Sequence, residues 1–471
     1  MQSSATEPTP TQPVLTGPAP VPPSRLFPTR HELREMGRLA LPVVVVQVGI
    51  MFLGVVDTIM VGRLGARVLA AVAVGNLYFF VCSIFGLGVL LALDPVVAQA
   101  VGARDRPAIG RALQRGFVIA LLLSVVVGLA LLGAGPVLRA ARQPAEILAD
   151  ARGYAWASIP GLPAFFAFVV FRQTLQAMRH MKPIVVTIVA MNLANVLLNW
   201  ILIYGNLGAP PLGAIGSAWA STASRWFGAI AILLASIPYL REHLVPLRRE
   251  ALALAPLGRM LRLGVPIGLQ QMLESGAFGA IGLLMGVFGT VEVASHQVAI
   301  NLASLTFMVP LAVGAAASVM VGHAIGAGDA HGAQRAALAA FLMGVGFMCV
   351  SAGIFLLAPE SLARLYTSDA AVLALASTLI PIAGLFQLAD GIQAVAAGVL
   401  RGAGDTRAPL VFILLGFWLL GTPVSLYLAF RTPLGPVGLW WGLVVGLGVV
   451  AIGLSIRTRR KLRGELRRVV V

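Results

Sequence analysis

The chain is predicted to be an all-α polytopic membrane protein, with twelve transmembrane helices arranged as two parallel six-helix repeats. Hydrophobic residues make up 58% of its 471 positions and charged residues only 11%, which leaves too little polar surface for a soluble domain. The apolar residues gather in blocks that reach or exceed the roughly 20 residues a spanning helix needs. The first part of the chain also recurs in the second. A shift of 224 residues lays positions 42–112 on 266–336 without a gap, matching Pro42 with Pro266, Gln47 with Gln271, Gly62 with Gly286, Gly65 with Gly289, Gly102 with Gly326, Asp105 with Asp329 and Arg111 with Arg335.

The elements follow in order. The opening segment is rich in Pro, Ser and Thr and has no apolar core of signal-peptide length, so a disordered tail is expected over residues 1–34, not a cleavable export signal. The first span, Leu39 to Met60, carries Asp57; the second, Leu69 to Val101, carries Cys82 and the Asp94-Pro95 pair. The third runs from Phe117 to Leu138 if the Gly-rich stretch at Gly133 belongs to it. The fourth begins near Ala155, the fifth near Pro183 with Asn192, Asn195 and Asn199, and the sixth near Ala214 with Arg225. An Arg-containing linker, 240–262, separates an amino-terminal lobe, 35–239, from a carboxy-terminal lobe, 263–456. In that second lobe the seventh span begins near Gly264 and holds Gln270, Gln271 and Glu274, and the eighth, near Val293, holds His296 and Gln297. The ninth begins near Ala336 and holds Cys349; the tenth, near Val372, holds Gln387, Asp390 and Gln393. The eleventh begins near Pro409, and the twelfth, Val437 to Ile456, precedes a basic tail, 457–471. Later repeat matches are looser: Ile159-Pro160 with Ile380-Pro381, Arg179 with Arg401, and Pro183 with Pro409. The two cysteines, in separate apolar spans, read as small core residues and not as a disulfide.

Basic residues cluster before the first span, after the second and sixth, and after the twelfth, so the positive-inside rule places both termini in the cytoplasm of a plasma or bacterial inner membrane protein. Both repeat copies follow such a segment. The repeats are therefore parallel, with a binding site expected between them near the midplane. The net charge of +16 is spread over membrane-flanking loops, so anionic lipid headgroups, and no nucleic acid, are the expected partners.

Asp57, Asp94, Glu274 and Asp390 lie inside apolar spans. A carboxylate at bilayer depth costs roughly 2.5 to 3.5 kcal/mol on insertion scales, so it faces protein interior or a water-filled cavity. At the 224 shift Asp57 falls on Ile281, Asp94 on Ser318 and Glu274 on Ile50: the scaffold is duplicated and the acids are not. Asn192, Asn195 and Asn199 share a helical face that Asp57 can meet, as do Gln270, Gln271 and Glu274, and Gln387, Asp390 and Gln393. Carboxylates flanked by amides suit reversible binding of a proton or of Na+, for which Glu274 and Asp390 are the leading candidates. Each group also has a structural reading: asparagines as helix-helix glue, Asp94 as a partner for backbone freed by Pro95, and His296 as a hydrogen-bonded interior histidine instead of a proton relay. Met272, Met285 and Met308 are expected in adaptable cavity walls, or as ordinary packing.

DTIMVGRLG from Asp57, ALDPVVAQAVGA from Ala92, ESGAF from Glu274, ASHQVAINLASL from Ala294 and QLADGIQAVAAGVLRGAGDT from Gln387 resemble the multidrug and toxic compound extrusion (MATE) transporters, over about Glu35 to Ile456. Acids in the seventh and tenth spans are similar to the NorM-type branch. The resemblance implies a secondary antiporter, not an enzyme, that needs no cofactor and exports mostly cationic amphipathic compounds in exchange for Na+ or H+, working as a monomer. It also implies cation binding at Glu274 and Asp390, and a second polar site of Asp57 with Asn195 and Asn199. Phe386 offers no hydroxyl where some relatives place a tyrosine. Two rival transporters share the layout. A major-facilitator protein has twelve spans in two parallel halves, but the GARDRPAIGR segment from Gly102 is two residues too long for its loop motif. A lipid-linked oligosaccharide flippase of related fold calls for a more cationic cavity. A polytopic glycosyltransferase needs a catalytic loop longer than any found here.

Overall fold

The computed structural model describes residues 27–246 and 248–469, and among them twelve helices are long and apolar enough to cross a membrane. They are α1 (Arg30–Gly62), α2 (Ala66–Gly102), α3 (Arg106–Leu132), α4 (Ala145–Ala177), α5 (Met181–Tyr204), α6 (Gly213–Leu244), α7 (Leu254–Phe288), α8 (Thr290–Gly326), α9 (Ala330–Leu357), α10 (Ala370–Gly402), α11 (Arg407–Arg431) and α12 (Pro436–Arg463). The tail expected over 1–34 lies outside the described residues as far as residue 26, and the last two residues lie outside them as well.

The helices begin earlier than their apolar blocks, because hydropathy registers only the part of a helix that sits in lipid. At α1 the Thr29 hydroxyl accepts from the Glu32 amide at 3.2 Å while the Glu32 carboxylate accepts from the Thr29 amide at 2.7 Å. This capping box starts the helix nine residues before Leu39. Likewise α6 continues to Leu244 and α7 starts at Leu254, so both extend into 240–262. The Gly133 stretch is not part of the third span. Gly133 leaves the helical track with ψ near zero (5°), and Ala134–Ala140 forms a separate short helix.

The duplication is visible in the turns. Gly65 (φ 107°) joins α1 to α2 and its repeat mate Gly289 (φ 147°) joins α7 to α8, backbone conformations open chiefly to glycine. Four of the spanning helices end in one kind of left-handed turn: the N–H of Asp105 returns to the Ala100 carbonyl, His180 to Leu175, Asp329 to Ala324 and Asp405 to Leu400. The residues in the left-handed position are Arg104, Arg179, Gly328 and Gly404. The structural counterpart of Arg179 is therefore Gly404, not Arg401 as the loose repeat had it. Cys349 also departs from expectation: it is exposed on α9, while Cys82 is partly buried, and both are free.

Helices α1–α6 carry the first repeat, here the first lobe, and α7–α12 carry the second. The lobes pack through glycine-rich crossings that exchange partners between repeats. A Cβ on Gly268 of α7 would stand 2.6 Å from the Phe85 carbonyl of α2. Where α2 meets α8, a Cβ on Gly102 would stand 2.1 Å from the His323 carbonyl and one on Gly326 would stand 2.1 Å from the Gln99 carbonyl. These are the same two positions of each repeat, so the pseudo-twofold axis passes through this crossing. Among the described residues, the hydrogen bonds and ion pairs between the lobes all lie in the half that carries the termini. They join Arg335 to Glu32 (2.7 Å), Arg401 to Asp94 (3.6 Å), the Gln99 amide to the Gly402 carbonyl (2.8 Å), the Val469 amide to the Gln99 side-chain carbonyl (2.6 Å), His323 to the Ala177 carbonyl (2.7 Å) and Arg468 to Asp105 (2.8 Å).

Candidate cation and substrate site

Helices α7, α8 and α10 of the second lobe line an open cavity of about 330 Å³. Positions 270, 274 and 278 of α7 and 386, 390, 393 and 397 of α10 recur at helical spacing, so one face of each helix supplies Gln270, Glu274 and Phe278, and Phe386, Asp390 and Gln393. Gln271 also lines it. The Gln393 amide donates to Glu274 Oε1 at 2.7 Å. Asp390 lies within electrostatic reach of Glu274. Asp390 Oδ1 and Gln393 Oε1 are buried without a hydrogen-bond partner among the described residues. Two carboxylates and an amide carbonyl thus present acceptor oxygens to one space, a donor set suited to a proton or to a hard cation such as Na+. Among the described residues no group of three or more His, Cys, Asp or Glu could hold a metal ion.

The rest of the wall is mixed: three phenylalanines, Phe278, Phe307 and Phe386, stand among small and aliphatic residues and serines, with Arg401 as its one basic side chain. Phe278 packs against Phe386 at 6.4 Å and Phe417 at 5.7 Å, and Phe386 against Trp440 at 5.6 Å, while α8 contributes Ile300, Ala303, Ser304, Phe307 and Leu311. Aromatic faces attract organic cations. The methionines expected here are not among the lining residues: Met285 is fully buried in the lobe core and Met272 is largely exposed. Phe386 fills the place beside Asp390 with a ring and no hydroxyl.

The first lobe holds a second polar cluster. Asp57 accepts from the Asn199 amide at 2.6 Å through one carboxylate oxygen and from the Ser221 hydroxyl at 2.8 Å through the other, and the Asn199 amide also reaches Asn195 Oδ1 at 3.1 Å. Arg225, stacked 3.9 Å over Phe79, is close enough to attract the Asp57 charge. Arg225, whose sequence reading is a structural ion partner and not a substrate contact, stands beside Asp57 in that role; Ser221 escaped notice, although Ser217, Ser221 and Arg225 recur every four positions along α6.

Four candidates lie away from these clusters. Asn192 donates to the Gly49 carbonyl at 3.0 Å and to Ile188 at 2.9 Å. It shares a face with Asn199 but sits two turns, roughly 10 Å, along the axis, opposite Gly49 and not Asp57. Gln387, fully buried, accepts from Thr306 and Ser351, each at 2.8 Å, and ties α8 and α9 to α10 behind the cavity. His296 packs edge-on to Trp440 at 5.4 Å, against Gly282, outside the lining. Asp94, fully buried, accepts from Gln173 at 2.9 Å and pairs with Arg401 across the lobes. Its partners are side chains, not backbone groups freed by Pro95.

Against known proteins, the MatE family model matches residues 42–201 and 266–427, one segment in each lobe. Multidrug resistance protein PmpM of Pseudomonas aeruginosa is 37% identical over 456 residues, covering 95% of each chain. Multidrug resistance protein NorM of Burkholderia vietnamiensis is 36% identical over 457 residues, covering 95% of this chain and 97% of its own. The crystal structure of the eukaryotic MATE transporter AtDTX14 superposes with a TM-score of 0.83 at 24% identity, over 92% of this chain and 98% of that one. Twelve spans, a parallel duplication and a family model that finds both copies lead to one assignment: the chain belongs to the MATE family of membrane transporters.

Proposed function

We propose that this transporter is a multidrug efflux antiporter that exports cationic amphipathic compounds in exchange for Na+ or H+, through the cavity of Glu274 and Asp390. The observation that carries the reading is the pair of acids with an unpartnered Asp390 oxygen in a space that Phe278, Phe307 and Phe386 also line. Its similarity to PmpM and NorM, both named as multidrug resistance proteins, supports the substrate breadth. In this reading both termini face the cytoplasm of a bacterial inner membrane and the protein works as a monomer. The joined half is then the cytoplasmic one, and the structure corresponds to a state closed to the cytoplasm.

The mechanism follows from charge. The empty acid pair attracts either an organic cation, held also by the aromatic faces, or a coupling cation, and loading one removes the charge that holds the other. One monovalent cation exchanged for another moves no net charge, so the gradient of the coupling ion drives the exchange, about 1.4 kcal/mol for each pH unit when the ion is a proton. Asp57 with Asn195 and Asn199 is a second cation-responsive site in the other lobe.

The test is uptake of a fluorescent organic cation by everted vesicles under separately imposed sodium and proton gradients. Glu274→Gln and Asp390→Asn should each abolish coupled transport while the protein still inserts in normal amount. Full activity in both variants refutes the proposal, and a response to one gradient only identifies the ion.

A further inference from the structure

A second pocket, of about 320 Å³, opens at the end that carries the termini, between the first turns of α7, the α10–α11 turn and the carboxy-terminal segment. Arg259, Arg262 and Arg407 converge on it, and none of the three forms a hydrogen bond or ion pair among the described residues. The one acid in its wall, Asp405, is already committed, to Arg457 at 2.7 Å and to the Ala408 amide at 3.3 Å. Among the described residues, three guanidinium groups therefore face one space whose single acid is already paired with Arg457, an arrangement that self-repulsion disfavours unless an anion is supplied from outside. Guanidinium forks match phosphate oxygens bidentately. Just ahead of the arginines, Leu252 and Leu254 are 64% and 85% exposed, apolar side chains that a water-facing loop would not favour and a bilayer surface would.

We propose that this pocket binds the phosphate group of an anionic phospholipid headgroup from the leaflet that meets this end. Basic pockets between transmembrane helices are built for such headgroups. The occupant would cross-link three chain segments, one of which, at Val469, also donates its backbone N–H to Gln99 of the other lobe at 2.6 Å. The inference is independent of what the transporter exports and of which ion drives it.

Native mass spectrometry of the delipidated full-length protein tests it, with phosphatidylglycerol or phosphatidylethanolamine added in separate titrations. Each arginine near a charged surface contributes about fivefold in affinity, so Arg259→Gln with Arg262→Gln should weaken phosphatidylglycerol binding about 25-fold. The same positions changed to Lys should keep most of it, and Arg63→Gln at the opposite end should change nothing. A parallel arm offers inorganic phosphate alone. Phosphatidylglycerol binding that is preferred over phosphatidylethanolamine and lost only in the Gln pair supports the site. Equal losses in the Arg63 control, no loss in the Gln pair, or saturation by phosphate with no lipid preference overturns it. The Lys variant separates a lost charge from a misfolded protein.

Discussion

Replacing Asp94 with Asn tests whether the lobes are held together by charge. Asp94 is fully buried and the Arg401 side chain is 16% exposed, with Nε 3.6 Å from the carboxylate; Arg172 lies near enough to feel the same charge. Asn keeps the volume and can still accept from Gln173, so only the charge is removed. Removing one partner of a buried pair costs about 3 to 5 kcal/mol, because the other charge is left unpaired. The separation here is beyond hydrogen-bond distance, which argues for the lower end, about 3 kcal/mol. That penalty applies only while the lobes are joined at this end; once they part, Arg401 meets water. About 3 kcal/mol is a factor of about 150 in the equilibrium, enough to bring a population of 99:1 near parity. The assay is pulsed electron resonance between spin labels at Lys182 and Arg459, exposed positions on opposite lobes at the same end. The variant should add a longer-distance population that Asp94→Asn with Arg401→Gln reduces. An unchanged distance distribution in a variant that folds normally refutes the reasoning.

Other perturbations separate the roles assigned above. Asn199→Ala leaves Asp57 a buried oxygen without its donor and should cost about 1 to 3 kcal/mol of stability together with transport, whereas Asn192→Ala should lower the melting temperature and leave transport intact; transport assays beside thermal melts distinguish them. Gly326→Ala places a methyl 2.1 Å from the Gln99 carbonyl, so it should force the lobes apart at the termini end without unfolding either lobe, read as the same change in label distances. Partial burial of Asp105 opposes its charge, but hydrogen bonds from Arg468 and the Ala108 amide, with the charge of Arg111, outweigh it and hold the carboxyl below its ordinary value. The contribution of that pair is then present above the unfolded carboxyl's pKa of about 4 and lost as pH falls through the lower folded value. Arg468→Gln should therefore destabilise the protein equally at pH 5 and pH 8, and a melting difference that vanished at pH 5 would contradict this.

Much of this was legible because it rests on periodicities that survive in a single sequence. Span length follows from bilayer thickness, and the turn glycines and capping aspartates are duplicated because the same turns are made twice. Asp57 met Asn195 and Asn199 for the reason the spacing implied. What spacing does not encode is depth and partner: Asn192 shares the face of Asn199 but not its level, and Gln387 shares α10 with Asp390 but turns toward Thr306 and Ser351. Asp94 pairs with a residue 307 positions away on the other lobe, a contact that exists only because two lobes meet at one end. Ser221 was within reach, since its four-residue spacing from Ser217 and Arg225 lay in plain view on α6.

The two acidic sites differ in how far the protein satisfies them itself. Asp57 has a donor on each oxygen and a cationic Arg225 nearby in the same lobe, so its charge is balanced internally. Glu274 and Asp390 face each other across a space whose one basic lining residue, Arg401, is committed to Asp94. A set that repels itself must import positive charge, and that import is what an antiporter can exploit. Asp390 and Arg401 also stand on one continuous helix, α10, eleven residues or about 16 Å apart. Any displacement of α10 that cation loading causes is therefore transmitted to the pair joining the lobes. The acid proposed to take the ion and the arginine that pairs with Asp94 across the lobes are parts of the same helix.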